Sequence, residues 1–129
     1  MTLTASPTTS SARVPLSLAY WERDGNVELV EHTVGALLAE RAQTNGHTIA
    51  LIGTRHGDGA EVRLTYAELY EEAQKVATGL ARHAEPGDFV ALWAPNVVEW
   101  PIIQYGAALA GVVLVALNPV LRSGELEYA

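Results

Sequence analysis

An α/β fold is predicted, with one β-hairpin and one parallel βαβ unit, and three observations predict it. Two short apolar runs, Phe89–Trp93 and 112–117, stand on either side of a stretch with helical spacing. Asp58-Gly59, a strong tight-turn pair, separates two further strand-like runs. Helical periodicity with capping residues fills the intervals between them.

Residues 1–14 are rich in Ser and Thr and poor in apolar side chains, so they bury too little to offset the entropy of ordering, and a mobile tail is expected. In 15–30, Leu16, Leu18, Tyr20 and Trp21 are expected to pack as an irregular arm, and Arg23-Asp24-Gly25-Asn26 is a turn cluster. Thr33 suits a helix N-cap. A stripe of Val34, Leu37, Leu38 and Ala42 follows, and Asn45-Gly46 ends the helix. Ile49–Thr54 is strand-like, 55–60 turns at Asp58-Gly59, and 61–64 alternates polar and apolar as a half-exposed strand does. Thr65-Tyr66-Ala67-Glu68 spells a capping box, with Leu64 and Leu69 placed as a hydrophobic staple. Leu69, Ala73, Val76, Ala77 and Leu80 mark the inner face of that helix, and Glu71, Glu72, Lys75 and Arg82 the outer one.

The stretch 87–119 reads strand, helix, strand. Phe89–Trp93 is apolar almost throughout, which suits a strand buried on both faces. Ala94-Pro95 stops it, because proline cannot donate to a sheet ladder. Asn96 is then a candidate cap, with Glu99 three positions on, and Val98, Ile102, Tyr105 and Leu109 recur at helical spacing. Pro101 conflicts with that start and should kink the helix or delay its regular part. Gly111 is a natural stop, and 112–117 is a second buried strand closed by Asn118-Pro119. Strand, helix and strand imply a parallel pair with a right-handed crossover, whose faces expect more helices than are present. Ser123, with Glu125 and Glu127 behind it, looks like another helix cap.

At 129 residues, 49% hydrophobic and 18% charged, the chain is one ordinary globular domain or part of one. It has no cysteine, which excludes disulfides, thiolate metal sites and a cysteine nucleophile and fits a reducing compartment. Its formal net charge is −7 with scattered basic residues, so a nucleic-acid partner is not expected. The apolar stretch 101–117 is interrupted and shorter than the ~20 residues that a membrane span needs.

Gly106 and Gly111 have the spacing of a phosphate loop, but Val112-Val113 stand where Lys and Ser or Thr belong, so packing of the helix on the sheet is the better account. Gly57-Asp58-Gly59 falls in a hairpin, not at a strand-to-helix turn. His32, His47, His56 and His83 show no metal-ligand spacing, and no serine has a base partner or an elbow motif. Trp93 and Trp100 flank Asn96. They either pack in the core or wall a ligand site at a strand's C-terminal end, where open α/β sheets bind ligands. No catalytic, cofactor-binding or metal-ligating residue is assigned from the residues alone.

Several short strings stand in a distinctive order: Leu64-Thr65-Tyr66-Ala67-Glu68-Leu69, Gly87-Asp88-Phe89-Val90-Ala91-Leu92, Pro95-Asn96 with Glu99-Trp100, Ala110-Gly111, and Asn118-Pro119 with Glu125-Leu126-Glu127-Tyr128. Together they resemble the amino-terminal region of adenylate-forming enzymes, over about 33–129, and most of all fatty-acyl-CoA synthetases. The resemblance implies a two-step reaction with ATP, Mg²⁺ and coenzyme A, in which a carboxylic acid becomes an acyl-adenylate and then a thioester. It implies a phosphate loop, a magnesium-binding Thr-Glu pair, a ribose-binding aspartate and a lysine in a mobile carboxy-terminal domain. None of these matches a residue here. Leu121 stands where the family often has Tyr, and Pro101 is not a general family feature. The expectation is a mobile tail over 1–14 and, over 15–129, an incomplete amino-terminal subdomain ending before the phosphate loop, from a cytoplasmic acyl-CoA ligase and inactive by itself. A stand-alone α/β interaction module and a flavodoxin-like nucleotide-binding domain are the alternatives; the latter lacks its phosphate-binding turn.

Overall fold

A computed structural model describes Gly25 and residues 29–128. The expected tail 1–14 lies outside the described residues, as do Leu16, Leu18, Tyr20 and Trp21 of the expected arm. The chain divides into two compact units, Met1–Val30 and Glu31–Ala129. The second contains, in order, α1 (Val34–Thr44), β1 (Ile49–Thr54), β2 (Glu61–Thr65), α2 (Tyr66–Leu80), β3 (Phe89–Trp93), α3 (Glu99–Ala110), β4 (Val113–Leu117) and α4 (Ser123–Tyr128). β1 and β2 pair antiparallel and β3 and β4 pair parallel, as two separate sheets. The mixed α/β class, the hairpin and the βαβ unit are those expected from the sequence.

Local chemistry sets most element ends. The Thr33 hydroxyl accepts from the Ala36 amide at 3.2 Å, and Asn45 caps the other end of α1. The hairpin turns through Gly57 and Gly59, both at positive φ, while Asp58 Oδ1 accepts from the Ala60 amide at 3.0 Å. The capping box of α2 is complete. Thr65 Oγ1 accepts from the Glu68 amide at 3.3 Å, and Glu68 Oε2 accepts from the Thr65 amide at 2.8 Å. Gly111 ends α3 in the left-handed conformation at φ 73°.

The core of the described residues is Leu38, Leu69 and Ala73, with Leu51, Leu64, Ile102 and Tyr105 packed against it. In α1 the buried pair is Gly35 and Leu38, and Val34 and Leu37 of the expected stripe are exposed. Gly35 lets α1 approach α3: a Cβ there would stand 3.0 Å from Leu109 Cδ2. Gly106 does the same between α3 and α2, where an added Cβ would stand 2.5 Å from Val76 Cγ1 and 3.0 Å from the Ala73 carbonyl. The glycine thus packs on a helix, and the expected packing on the sheet is corrected.

Three further expectations are corrected, those for Asn96, the parallel strands and Ser123, while that for Pro101 is met by a delayed start. Asn96 does not cap α3, which begins at Glu99 with Val98 at the N-cap and no side-chain bond there. Pro101 is the third helical residue, inside the first turn, where amides have no intrahelical partner to lose; the helix start is delayed rather than broken. The strands of the parallel pair are not buried on both faces. Phe89 is 76% exposed, Trp93 51%, Val113 43% and Val115 38%, whereas Val90, Leu92 and Leu114 are half-buried. Period-two alternation turns one face of each strand toward the helices, and two strands with one crossover helix leave the other uncovered. Finally, Ser123 is the first residue of α4 and not its cap. The Arg122 carbonyl accepts from the Glu125 and Leu126 amides, and the Arg122 amide donates to Glu125 Oε2 at 2.8 Å.

Candidate functional site

β3 and β4 run parallel with Trp93 opposite Leu117, so both strands end at one edge. The loop 94–98 follows the first, and Asn118-Pro119 the second. Ligands of open α/β sheets bind at such carboxyl ends. The edge is ordered by polar bonds. Trp93 Nε1 donates to the Asn118 carbonyl at 3.0 Å, Asn118 Oδ1 accepts from the Val120 amide at 3.1 Å, and the same carbonyl accepts from the Leu121 amide. The half-exposed Trp93 ring is therefore tethered across the two strand ends, an apolar plate with its polar edge already satisfied.

Beside this edge the hairpin meets α3. The Val98 amide donates to the Thr54 carbonyl at 2.9 Å, and both carboxylate oxygens of Glu99 lie 3.2 Å from the His56 amide, which donates to them. A cavity of about 280 Å³ opens there, walled by Leu51, Ile52, Thr54, Asn96, Trp100 and Pro101. Its wall is mostly aliphatic and aromatic, with one carboxamide and one hydroxyl. Such a lining can receive an apolar group and orient it through a single hydrogen bond. It offers no base to activate that hydroxyl.

Of the three residues singled out beforehand, Asn96 and Trp100 share the cavity, while Trp93 belongs to the strand-end surface. Thr54 and the Glu99–His56 bond were not foreseen. The spacing suggests Glu99 as a local capping partner for Asn96, but its partner is 43 residues away in sequence.

A triphosphate or magnesium site does not fit the described residues. Among the described residues, no three His, Asp or Glu side chains group so as to hold a metal. The one lysine of the sequence, Lys75, lies on the outer face of α2, 2.8 Å from Glu72 and 3.2 Å from Glu71. The hydrogen bonds it donates to these carboxylates, to Glu72 first, raise its pKa. Gly57 and Gly59 turn at the hairpin tip, where an added Cβ would meet nothing within 4 Å, and they belong to a strand-to-strand turn. No helix among the described residues is long and apolar enough to cross a membrane.

Residues 38–129 match the family described as "AMP-binding enzyme". The mouse (Mus musculus) medium-chain acyl-CoA ligase ACSF2, mitochondrial, is 38% identical over 112 residues, 86% of this chain and 18% of that protein. The chain thus spans about a fifth of the length of this curated relative. Among solved structures, the N-terminal domain of FACL13 from Mycobacterium tuberculosis superposes with a TM-score of 0.66 at 33% identity, over 75% of this chain and 24% of that one. The Mycobacterium tuberculosis fatty acyl CoA synthetase gives a TM-score of 0.61 at 32% identity, over 74% of this chain and 18% of that one.

Proposed function

Because the chain belongs to the AMP-binding enzyme family, we propose that it forms the amino-terminal part of an ATP-dependent acyl-CoA ligase for a fatty or related carboxylic acid. The observation that carries this reading is the 38% identity to a medium-chain acyl-CoA ligase across 86% of the chain. In such an enzyme a carboxylate oxygen attacks the α-phosphate of ATP and pyrophosphate leaves. The thiol of coenzyme A then attacks the acyl carbon and AMP leaves. We assign ATP, Mg²⁺ and the charge-stabilising groups to other parts of the enzyme, since the residues here supply none of them. Residues 15–129 contribute a scaffold and, at the strand ends, an apolar wall for the acyl or coenzyme A moiety. The cysteine-free sequence suits a reducing compartment. We assign the cytoplasm, with the mitochondrion of the mouse relative's name as the alternative.

The test is carboxylate-dependent exchange of labelled pyrophosphate into ATP. Residues 1–129 alone should give none above a heat-killed control. The same residues replacing the matching segment of the Mycobacterium tuberculosis fatty acyl CoA synthetase should support it. A soluble, folded chimaera without exchange would count against the assignment, and exchange by the 129 residues alone would reveal a catalytic site among them.

A further inference from the structure

The end of β1 and the start of α3 are joined at two points. One is the bond from the Val98 amide to the Thr54 carbonyl, and the other is the seat of the His56 amide between both oxygens of Glu99. Between them Val98 is buried, and a Cβ on Gly53 would stand 3.0 Å from Val98 Cγ1, so only glycine admits that approach without displacement. The loop 94–98 is therefore held at both ends, by β3 on one side and by this joint on the other. Asn96, exposed on that loop, has no bond of its own to set its position through α3, because α3 begins without a side-chain cap.

We propose that Glu99 is a positioning residue: its carboxylate latches the hairpin to the first turn of α3 and so holds Asn96 and Trp100 in register with the strand ends. The proposal rests on the strand ends being a ligand surface of an acyl-CoA ligase. A carboxylate suits the task because it presents two acceptors to one amide, and a charged acceptor makes a stronger bond than a neutral one. Its partner is main chain, so the latch depends on the side chain at 99 and not on that at 56.

Two measurements test it. Amide hydrogen exchange on the full chain should show His56 and Val98 exchanging about tenfold faster or more in Glu99→Ala, with Leu69 and Ala73 unchanged. Glu99→Gln keeps one neutral acceptor oxygen and should fall between the parent and Glu99→Ala. In the active chimaera, Glu99→Ala should raise KM for the carboxylic acid by about fivefold with kcat little changed, and Glu99→Gln should give a smaller rise. Unchanged Val98 protection, equal acceleration at Leu69 and Ala73, or an unchanged KM would each overturn the latch. A parent chimaera without exchange refutes the functional reading instead, and the amide measurement then decides the latch by itself.

Discussion

Glu68 is held below the usual carboxylate range by the Thr65 backbone N–H first and the Thr65 hydroxyl second. Its folded pKa is thus depressed. The stability it contributes is present in full above the unfolded carboxylate value and is lost as pH falls through the folded one. The urea midpoint should drop on acidification through that window, and Glu68→Gln should flatten that part of the profile. Thr65→Ala removes the hydroxyl that accepts from the Glu68 amide and should lower stability by about 1 kcal/mol, read from the same midpoints. Gly106→Ala places a methyl 2.5 Å from Val76 Cγ1 and should destabilise by about 1–3 kcal/mol through overpacking. Val76→Ala in the same chain should recover part of that loss. At the hairpin tip, His56→Ala keeps the main-chain donor and Asp58→Ala loses only the turn bond to Ala60. Both should leave turnover of the active chimaera within about tenfold of the parent, which corresponds to ~1.4 kcal/mol.

At the scale of elements, the parts legible in the sequence are those decided within a few residues. The α2 cap needs only Thr65 and Glu68, the hairpin only its glycines and Asp58, and the end of α3 only Gly111. The start of α3 was misread because Asn96 and Glu99 have capping spacing, yet tertiary bonds to Thr54 and His56 set where the helix begins. Strand burial was misread for a similar reason: an apolar run looks the same whether one face or two are covered. The β3–β4 face makes this measurable. Phe89, Trp93, Val113 and Val115 are exposed together, so the purified chain should bind a hydrophobic dye or self-associate, and Phe89→Ser should weaken both. A monomer with no dye binding would show that this face is not available to solvent.

For the molecule as a whole, the order of short strings along the chain carried the family, although none of the strings is specific by itself. The fold legible from pattern and the family that matches 38–129 agree. The candidate site was only partly legible. Asn96 and Trp100 were visible as an aromatic-flanked amide, but the cavity they share needs Leu51, Ile52 and Thr54 from a strand more than forty residues earlier. No local pattern encodes that meeting. The same holds for Lys75, which the sequence places on a polar helix face and the structure shows paired with Glu71 and Glu72.

The tether between Trp93 and Asn118 also has an optical consequence. An indole whose N–H is bound to a carbonyl, and whose ring is half open to water, emits in a way that changes when its surroundings are dried or its bond is broken. The sequence has two other tryptophans, Trp21 and Trp100. With both replaced by Phe, the remaining fluorescence comes from the junction of the two strand ends. A fatty acid settling there should shift that emission to shorter wavelength and shield it from a soluble quencher, which makes the chain its own reporter of occupancy without any attached dye.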